Sequence, residues 1–273
     1  MDLLSYGDSI PEGEYRLHSA FANAINFRKG KIIVSLVLPP AGAGPHNLVV
    51  KQLPAGAKKL RASRFYFYVD ENRMRKEPEV RYSSVVPAAP AATGTVRANV
   101  AALASILALK APPKSLAFIF DASREKDFSP GFEEHLLARF KQALSCFRSG
   151  DYEPGTKIMR GLGLGLTPSG DDFISGLLAG LRYAMLNLRS DSGARIEQVF
   201  LHAEGGNLLS NSFLRAAYEG KVNAKVRRLM QALGGGSRAE LAAAAGAALK
   251  SGHTSGADFC AGLVFSLQDV LQG

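Results

Sequence analysis

A chain of 273 residues that is 47% hydrophobic can bury one large core or two of ordinary size, which excludes a mainly disordered protein. Its 33 Lys and Arg outnumber its 24 Asp and Glu, a balance that suits anionic partners: phosphorylated metabolites, carboxylates, nucleic acid or an acidic protein surface. Two cysteines, Cys146 and Cys260, with no His or Cys at ligand spacing, exclude a disulfide framework and a structural zinc site.

The start MDLLSYGDSIPEGEY has no basic n-region, and no apolar run is long enough to span a bilayer, so the expected setting is cytoplasmic with no membrane segment. From His18 to Val86 the texture is β. HSAFANAINF, KIIVSLVL, HNLVVKQL and RFYFYV are short runs of branched and aromatic residues separated by turn-forming segments, and the first pair reads as a hairpin. In GAGPHNLVV, Gly42 to Asn47 stand at a strand entrance as ordinary turn chemistry. The Pro- and Ala-rich stretch 87–94 reads as a linker, which sets the expected division: a β-rich domain over 1–94 and a mainly helical domain over 95–273. After it come a helix over 95–110, a possible strand over Ser115 to Phe120, and a helix over 130–149 beginning after Ser129 with Pro130 in its first position. From Gly170 onward only helices are expected, at about 171–188, 193–204, 210–219, 221–233, 238–250 and 256–271. Strands followed by helices define an α+β fold, an N-terminal β-rich domain and a C-terminal helical bundle.

Residues 161–177, GLGLGLTPSGDDFISGL, carry the densest signal. Glycines let backbone N–H groups turn toward a ligand, and a helix N-terminus adds partial positive charge at the same place, which together make an anion site. A weaker copy follows at 252–263, GHTSGADFCAGL, with Ser169, Gly170, Asp172, Phe173, Gly176 and Leu177 repeated 86 positions later, since 258 − 172 = 86. Ser169 with Asp172 and Ser255 with Asp258 also fit a capping box, the purely structural alternative; Ser237 with Glu240 is a third such pair that lacks the glycines and the second acid. The run fits neither a P-loop nor a dinucleotide fingerprint. Gly176, Gly180 and Gly262 leave flat patches on the two motif helices, and the expectation is that these helices cross there and bring both Gly-rich starts together.

On this reading Gly163, Gly165, Thr167, Ser169 and Gly170 with Thr254, Ser255 and Gly256 bind the anion. Asp172, Asp258 and His253 are the candidate catalytic groups, His253 as acid or base. Asp172 and Asp258 are also the pair that would hold a divalent cation, if one binds; no other cofactor is indicated. Asn207, Ser210, Asn211 and Ser212 read as a helix start, with Arg215 one turn in. No Ser-His-Asp or Cys-His constellation is legible. Basic residues fall in short groups, such as Lys58, Lys59 and Arg61 or Lys225, Arg227 and Arg228, without aromatic residues interleaved along the chain, which argues against nucleic acid.

The phrases GLGLGLTPSGDDFISGLLAGL, NLLSNSFLRAAYEG and GHTSGADFCAGL, with GPHNLVV in the N-terminal half, resemble the AllH-type oxamate carbamoyltransferase subunit family. Leu164 stands where that family commonly has proline, and Asn207 where it often has an arginine before a threonine. The resemblance implies a subunit of a multi-subunit carbamoyltransferase of allantoin and purine-nitrogen breakdown, which converts oxalurate and phosphate into oxamate and carbamoyl phosphate. Its partners would be a small anionic metabolite and the other subunits. The alternative is a noncatalytic scaffold or anion-sensing module of such a complex.

Overall fold

A computed structural model describes residues 1–272, and its chain falls into two compact units, Met1–Val85 with Lys221–Ala224, and Val86–Gly220 with the chain from Lys225 onward.

The first unit is a nine-stranded sheet: β1 (Leu3–Gly7), β2 (Gly13–Phe21), β3 (Ala24–Lys29), β4 (Ile32–Val37), β5 (Asn47–Val50), β6 (Lys59–Ala62), β7 (Tyr66–Val69), β8 (Asn72–Arg75) and β9 (Arg81–Tyr82). The strands lie in the order β8-β7-β6-β2-β3-β4-β5-β1-β9, antiparallel except for β4 with β5 and β1 with β9. Alternation decides which way each side chain points. Leu60 and Ala62, Phe67 and Val69, and Met74 turn inward, while the residues between them face water. The rings of Tyr6 on β1 and Phe67 on β7 meet at 5.5 Å although five strands separate them in the order, so the sheet curls around a core that includes Tyr15, Phe27, Leu36, Leu48 and Leu60. The hairpin expected of the first two runs is present as β3 and β4, while HSAFANAINF itself contains the β2–β3 turn at Ala22 and Asn23.

The second unit is helical: α1 (Thr93–Lys110), α2 (Phe132–Arg148), α3 (Tyr152–Met159), α4 (Ser169–Asn187), α5 (Gly193–Ala203), α6 (Leu208–Tyr218), α7 (Ala224–Gly235), α8 (Arg238–Leu249) and α9 (Ser255–Gln272). The strand expected over Ser115 to Phe120 is not formed. Leu116–Ile119 is a 3-10 turn, because a buried single run with no neighbouring strand would leave its ladder groups unsatisfied, whereas a tight turn satisfies them locally. Helix α2 begins two residues later than expected, after Gly131 at φ 89°, so Pro130 precedes the helix.

α4 and α9 form the centre of this unit. A Cβ placed on Gly176 would lie 1.9 Å from the carbonyl oxygen of Phe259, and one on Gly262 would lie 2.0 Å from the carbonyl oxygen of Phe173. The obstruction in both cases is backbone, which cannot swing aside. With the 86-residue offset, each glycine receives the other helix's matching phenylalanine carbonyl, so the crossing is reciprocal and the two helices are related by an approximate two-fold axis. Gly180 also packs closely, but there the nearest obstruction is the Ser266 side-chain hydroxyl, with the Leu263 carbonyl oxygen next at 2.9 Å. Phe173 and Phe265 pack edge to face at 5.7 Å, with Phe147 of α2 and Tyr152 of α3 closing the cluster. No helix among the described residues is long and apolar enough to cross a membrane.

Candidate functional site

The approximate symmetry extends into the loops that lead to the two helices. Gly170 N–H donates to the carbonyl of Leu162 at 2.8 Å, and Gly256 N–H donates to that of Ser251 at 2.9 Å. Both glycines also press against the end of the preceding helix: a Cβ on Gly170 would meet the Met159 carbonyl oxygen at 2.0 Å, and one on Gly256 would meet that of Ala248 at 2.1 Å. α3–α4 and α8–α9 are therefore two copies of one helix–loop–helix unit. The first loop is longer by three residues, because 170 − 162 = 8 and 256 − 251 = 5. The extra length falls in the glycine run.

That run folds with φ of 73° at Gly161, 114° at Gly163 and 108° at Gly165, a region closed to ordinary side chains. Gly163 is needed twice over, since a Cβ there would also lie 2.6 Å from the Ser169 nitrogen; at Gly165 it would make only an ordinary contact, 3.8 Å from the Thr167 carbonyl oxygen. The loop is pinned at both ends. Gly161 N–H donates to Asp171 Oδ1 at 2.7 Å, and Asn207 Nδ2, at the start of α6, donates to the Leu166 carbonyl at 2.7 Å. Between the pins, the N–H groups of residues 163–167 make no hydrogen bond among the described residues. The N–H groups of Gly170 and Gly256 are already engaged, so these two glycines serve close packing.

The two motif starts meet. Thr167 Oγ1 donates to Asp172 Oδ2 at 2.9 Å and lies 2.9 Å from Ser255 Oγ of the second copy. The Ser255 hydroxyl bonds to Asp172, and the hydroxyls of Ser169 and Thr254 approach Asp258. Acid and serine are thus exchanged between copies: each motif's aspartate faces the other motif's serine. This differs from capping within one helix. α4 begins at Pro168 with no side-chain cap, whereas Ser237 and Glu240 do form the complete capping box. The same S-x-x-acid spelling supports two structures because the glycine crossing brings a competing partner within reach.

Both aspartates are removed from water, Asp172 at 7% exposed and Asp258 at 0%. Burial pushes each carboxyl up to about 7, and for Asp172 the neighbouring Asp258 adds to the shift. Asp258 Oδ1 accepts the Leu116 N–H at 2.7 Å, while its Oδ2 has no partner of good geometry. Asp171 is raised less, for the same reason, with the Gly161 N–H opposing the shift. His253 is exposed on the shorter loop and makes no hydrogen bond among the described residues. No group of three or more His, Cys, Asp or Glu side chains suited to a metal occurs among the described residues; Asp172 and Asp258 supply two carboxyls surrounded by hydroxyls. Two depressions of about 440 and 430 Å³ lie along α1 and α9, lined by residues such as Ala108, Leu109 and Gln268 or Arg97 and Leu271. Cys146 and Cys260 are unpaired, and burial raises the Cys260 thiol to about 12, which makes it inert.

Thr167, Ser169, Asp172, Thr254, Ser255 and Asp258 lie together, as the register of the two motifs predicts, but the groups that hold them were not legible. The role of Leu116 was hidden because its run looked like a strand. The grip of Asn207 on Leu166 had only its helix-start signal to announce it.

Fold and site together define a class: a β-rich unit joined to a helical unit built on a duplicated helix–loop–helix, crossed at glycines, with acids and hydroxyls exchanged between copies. Residues 159–267, which run from the end of α3 into α9, match the family model of AllH, the oxamate carbamoyltransferase subunit, and bear out the resemblance carried by the motifs. No curated protein and no solved structure matches the chain.

Proposed function

We propose that the chain is a subunit of a carbamoyltransferase-type enzyme of allantoin and purine-nitrogen breakdown, and that its Gly161–Thr167 loop holds a small anion such as phosphate, oxamate or oxalurate. The observation that carries this reading is the run of five unpaired N–H groups at 163–167, held open by glycines and pinned by Asp171 and Asn207 beside the joined starts of two long helices. In the implied reaction phosphate attacks a carbamoyl carbon, and the site must hold a phosphate, a carboxylate and a developing oxyanion. Fixed amide donors serve all three without reorganising. Asp172 and Asp258, raised to about 7 by burial, are suited to keep or pass a proton near neutrality, and His253 is the exposed acid or base on the second loop. A divalent cation, if the reaction uses one, would find Asp172 and Asp258 as its ligands.

A noncatalytic, anion-sensing role in such a complex is the second reading. The test is oxalurate phosphorolysis by the chain with and without its copurified partner subunits. Turnover that needs the partners and falls at least a hundredfold in Asp172→Ala supports the catalytic subunit. Full turnover in that variant supports the sensor instead, and no turnover with any partner removes the carbamoyltransferase assignment.

A further inference from the structure

The sheet register assembles a surface that the linear order of residues does not display. Between residues 58 and 76, seven Lys and Arg stand against Asp70 and Glu71. In strand pairing, Arg61 of β6 lies opposite Tyr68 of β7, which lies opposite Arg73 of β8; on the other side of β6, Arg16 of β2 lies opposite Lys59 and Glu14, the one acid in this row, lies opposite Arg61. All these side chains occupy the outward positions of the pleat, since their neighbours Leu60, Phe67 and Met74 point into the core. The Arg61 guanidinium sits 4.0 Å from the centre of the Tyr68 ring, and that of Arg73 sits 5.0 Å from the Tyr66 ring. The two rings are 6.1 Å apart. Arg16, Lys59, Arg61 and Arg73 are exposed and make no ion pair among the described residues. Aromatic residues are thus interleaved with cations across the strands, although not along the chain.

We propose that this face of β2, β6, β7 and β8 binds single-stranded nucleic acid, an activity separate from the anion loop. Two features favour that ligand over an acidic protein surface. Planar rings with guanidinium groups stacked on them offer platforms on which unpaired bases stack whatever their sequence, while the unpaired cations meet the phosphates. A protein partner would also require an apolar centre, and the outward positions of β6, β7 and β8 hold only Lys, Arg and Tyr side chains. The outer face of the curled sheet presents no helix or ribbon to enter a duplex groove, so paired strands fit it poorly.

Fluorescence anisotropy of the full chain with a labelled single-stranded RNA of about a dozen nucleotides tests the proposal, with a duplex of equal length, heparin and poly-glutamate as competitors. The expected result is binding that weakens steeply with salt, with the duplex a poorer competitor than the single strand. Tyr66→Leu with Tyr68→Leu keeps the apolar cover of the sheet and removes the stacking faces; it should weaken RNA binding at least tenfold and leave heparin binding unchanged. Arg61→Gln with Arg73→Gln should weaken both and flatten the salt dependence by about one phosphate contact for each arginine. Absence of RNA binding at low salt, equal loss of RNA and heparin in the tyrosine variant, or poly-glutamate competing as well as RNA would each overturn the proposal.

Discussion

At the residue scale, the exchange of Asp172 and Asp258 between motif copies sets the pH behaviour of the helical unit. Both carboxyls have a higher pKa in the folded chain, about 7, than in an unfolded one, about 3.9, so between those limits the folded state binds more protons. Stability is therefore fully present below the unfolded value and falls as pH rises through the folded value, by up to about 1.4 kcal/mol per pH unit for each group. Asn in place of Asp258 imitates the protonated acid: its oxygen can still accept the Leu116 N–H, and its amide can face the Ser169 and Thr254 hydroxyls. Asp258→Asn is expected to melt at a higher temperature than the parent chain at pH 8, with the difference shrinking toward pH 5. A Tm difference that does not change over this range would show that the carboxyl is not the group that titrates.

The glycines of the loop differ in what they do. Gly165→Val strains the backbone at φ 108° but its Cβ meets only an ordinary contact, 3.8 Å from the Thr167 carbonyl oxygen, so it should deform the glycine loop and leave the fold standing. Gly163→Val would drive a side chain into the start of α4 and cost stability as well. Thermal melting of the two variants beside their ligand binding separates the roles: the Gly165 variant should lose binding with little change in Tm, and the Gly163 variant should lose both.

At the scale of elements, the crossing of α4 and α9 rests on two positions where nothing larger than hydrogen fits. Gly176→Ala or Gly262→Ala forces two backbones apart, and each is expected to destabilise the chain by about 3 kcal/mol in urea melts. Both changes disturb one contact, so the double variant should cost clearly less than the sum of the singles; full additivity would mean the two glycines seal separate contacts. The Ser237–Glu240 capping box stands apart from this arrangement, and Ser237→Ala should cost about 1 kcal/mol without affecting ligand binding.

These elements also show what the chain made legible. The helices from 170 onward were readable because long apolar periodicity, caps and terminal glycines agree, and the glycine register at 176, 180 and 262 foretold the crossing itself. The capping-box spelling was ambiguous, because the same four letters cap a helix locally at Ser237 but pair across copies at Ser169, and only the tertiary crossing decides. The strands were legible where branched and aromatic residues cluster, as at 32–37 and 66–69. β6 and β8, written KLRA and NRMR, were hidden because their outward residues are all charged or polar and only every second position is apolar. The helix α3 escaped notice because Pro154 and Gly155 fall inside its eight residues.

At the scale of the whole molecule, each unit has its own chemistry: a curled sheet with an unpaired cationic and aromatic face, and a duplicated helical unit with a loop of unpaired donors. A ligand held by the loop should stabilise the helical unit in particular. Saturating oxamate or phosphate is expected to slow hydrogen exchange in the first turns of α4 and α9, with far less effect on the strands. Uniform protection of both units would point to a binding mode that does not centre on the loop.

The most direct measurement is a titration of phosphate and of oxamate into the isotope-labelled chain, followed by amide nuclear magnetic resonance. Anion binding at the loop predicts saturable shifts concentrated in the N–H signals of Gly163, Leu164, Gly165, Leu166 and Thr167, lost in Gly165→Val. Saturation that leaves these five signals in place while others move would contradict it.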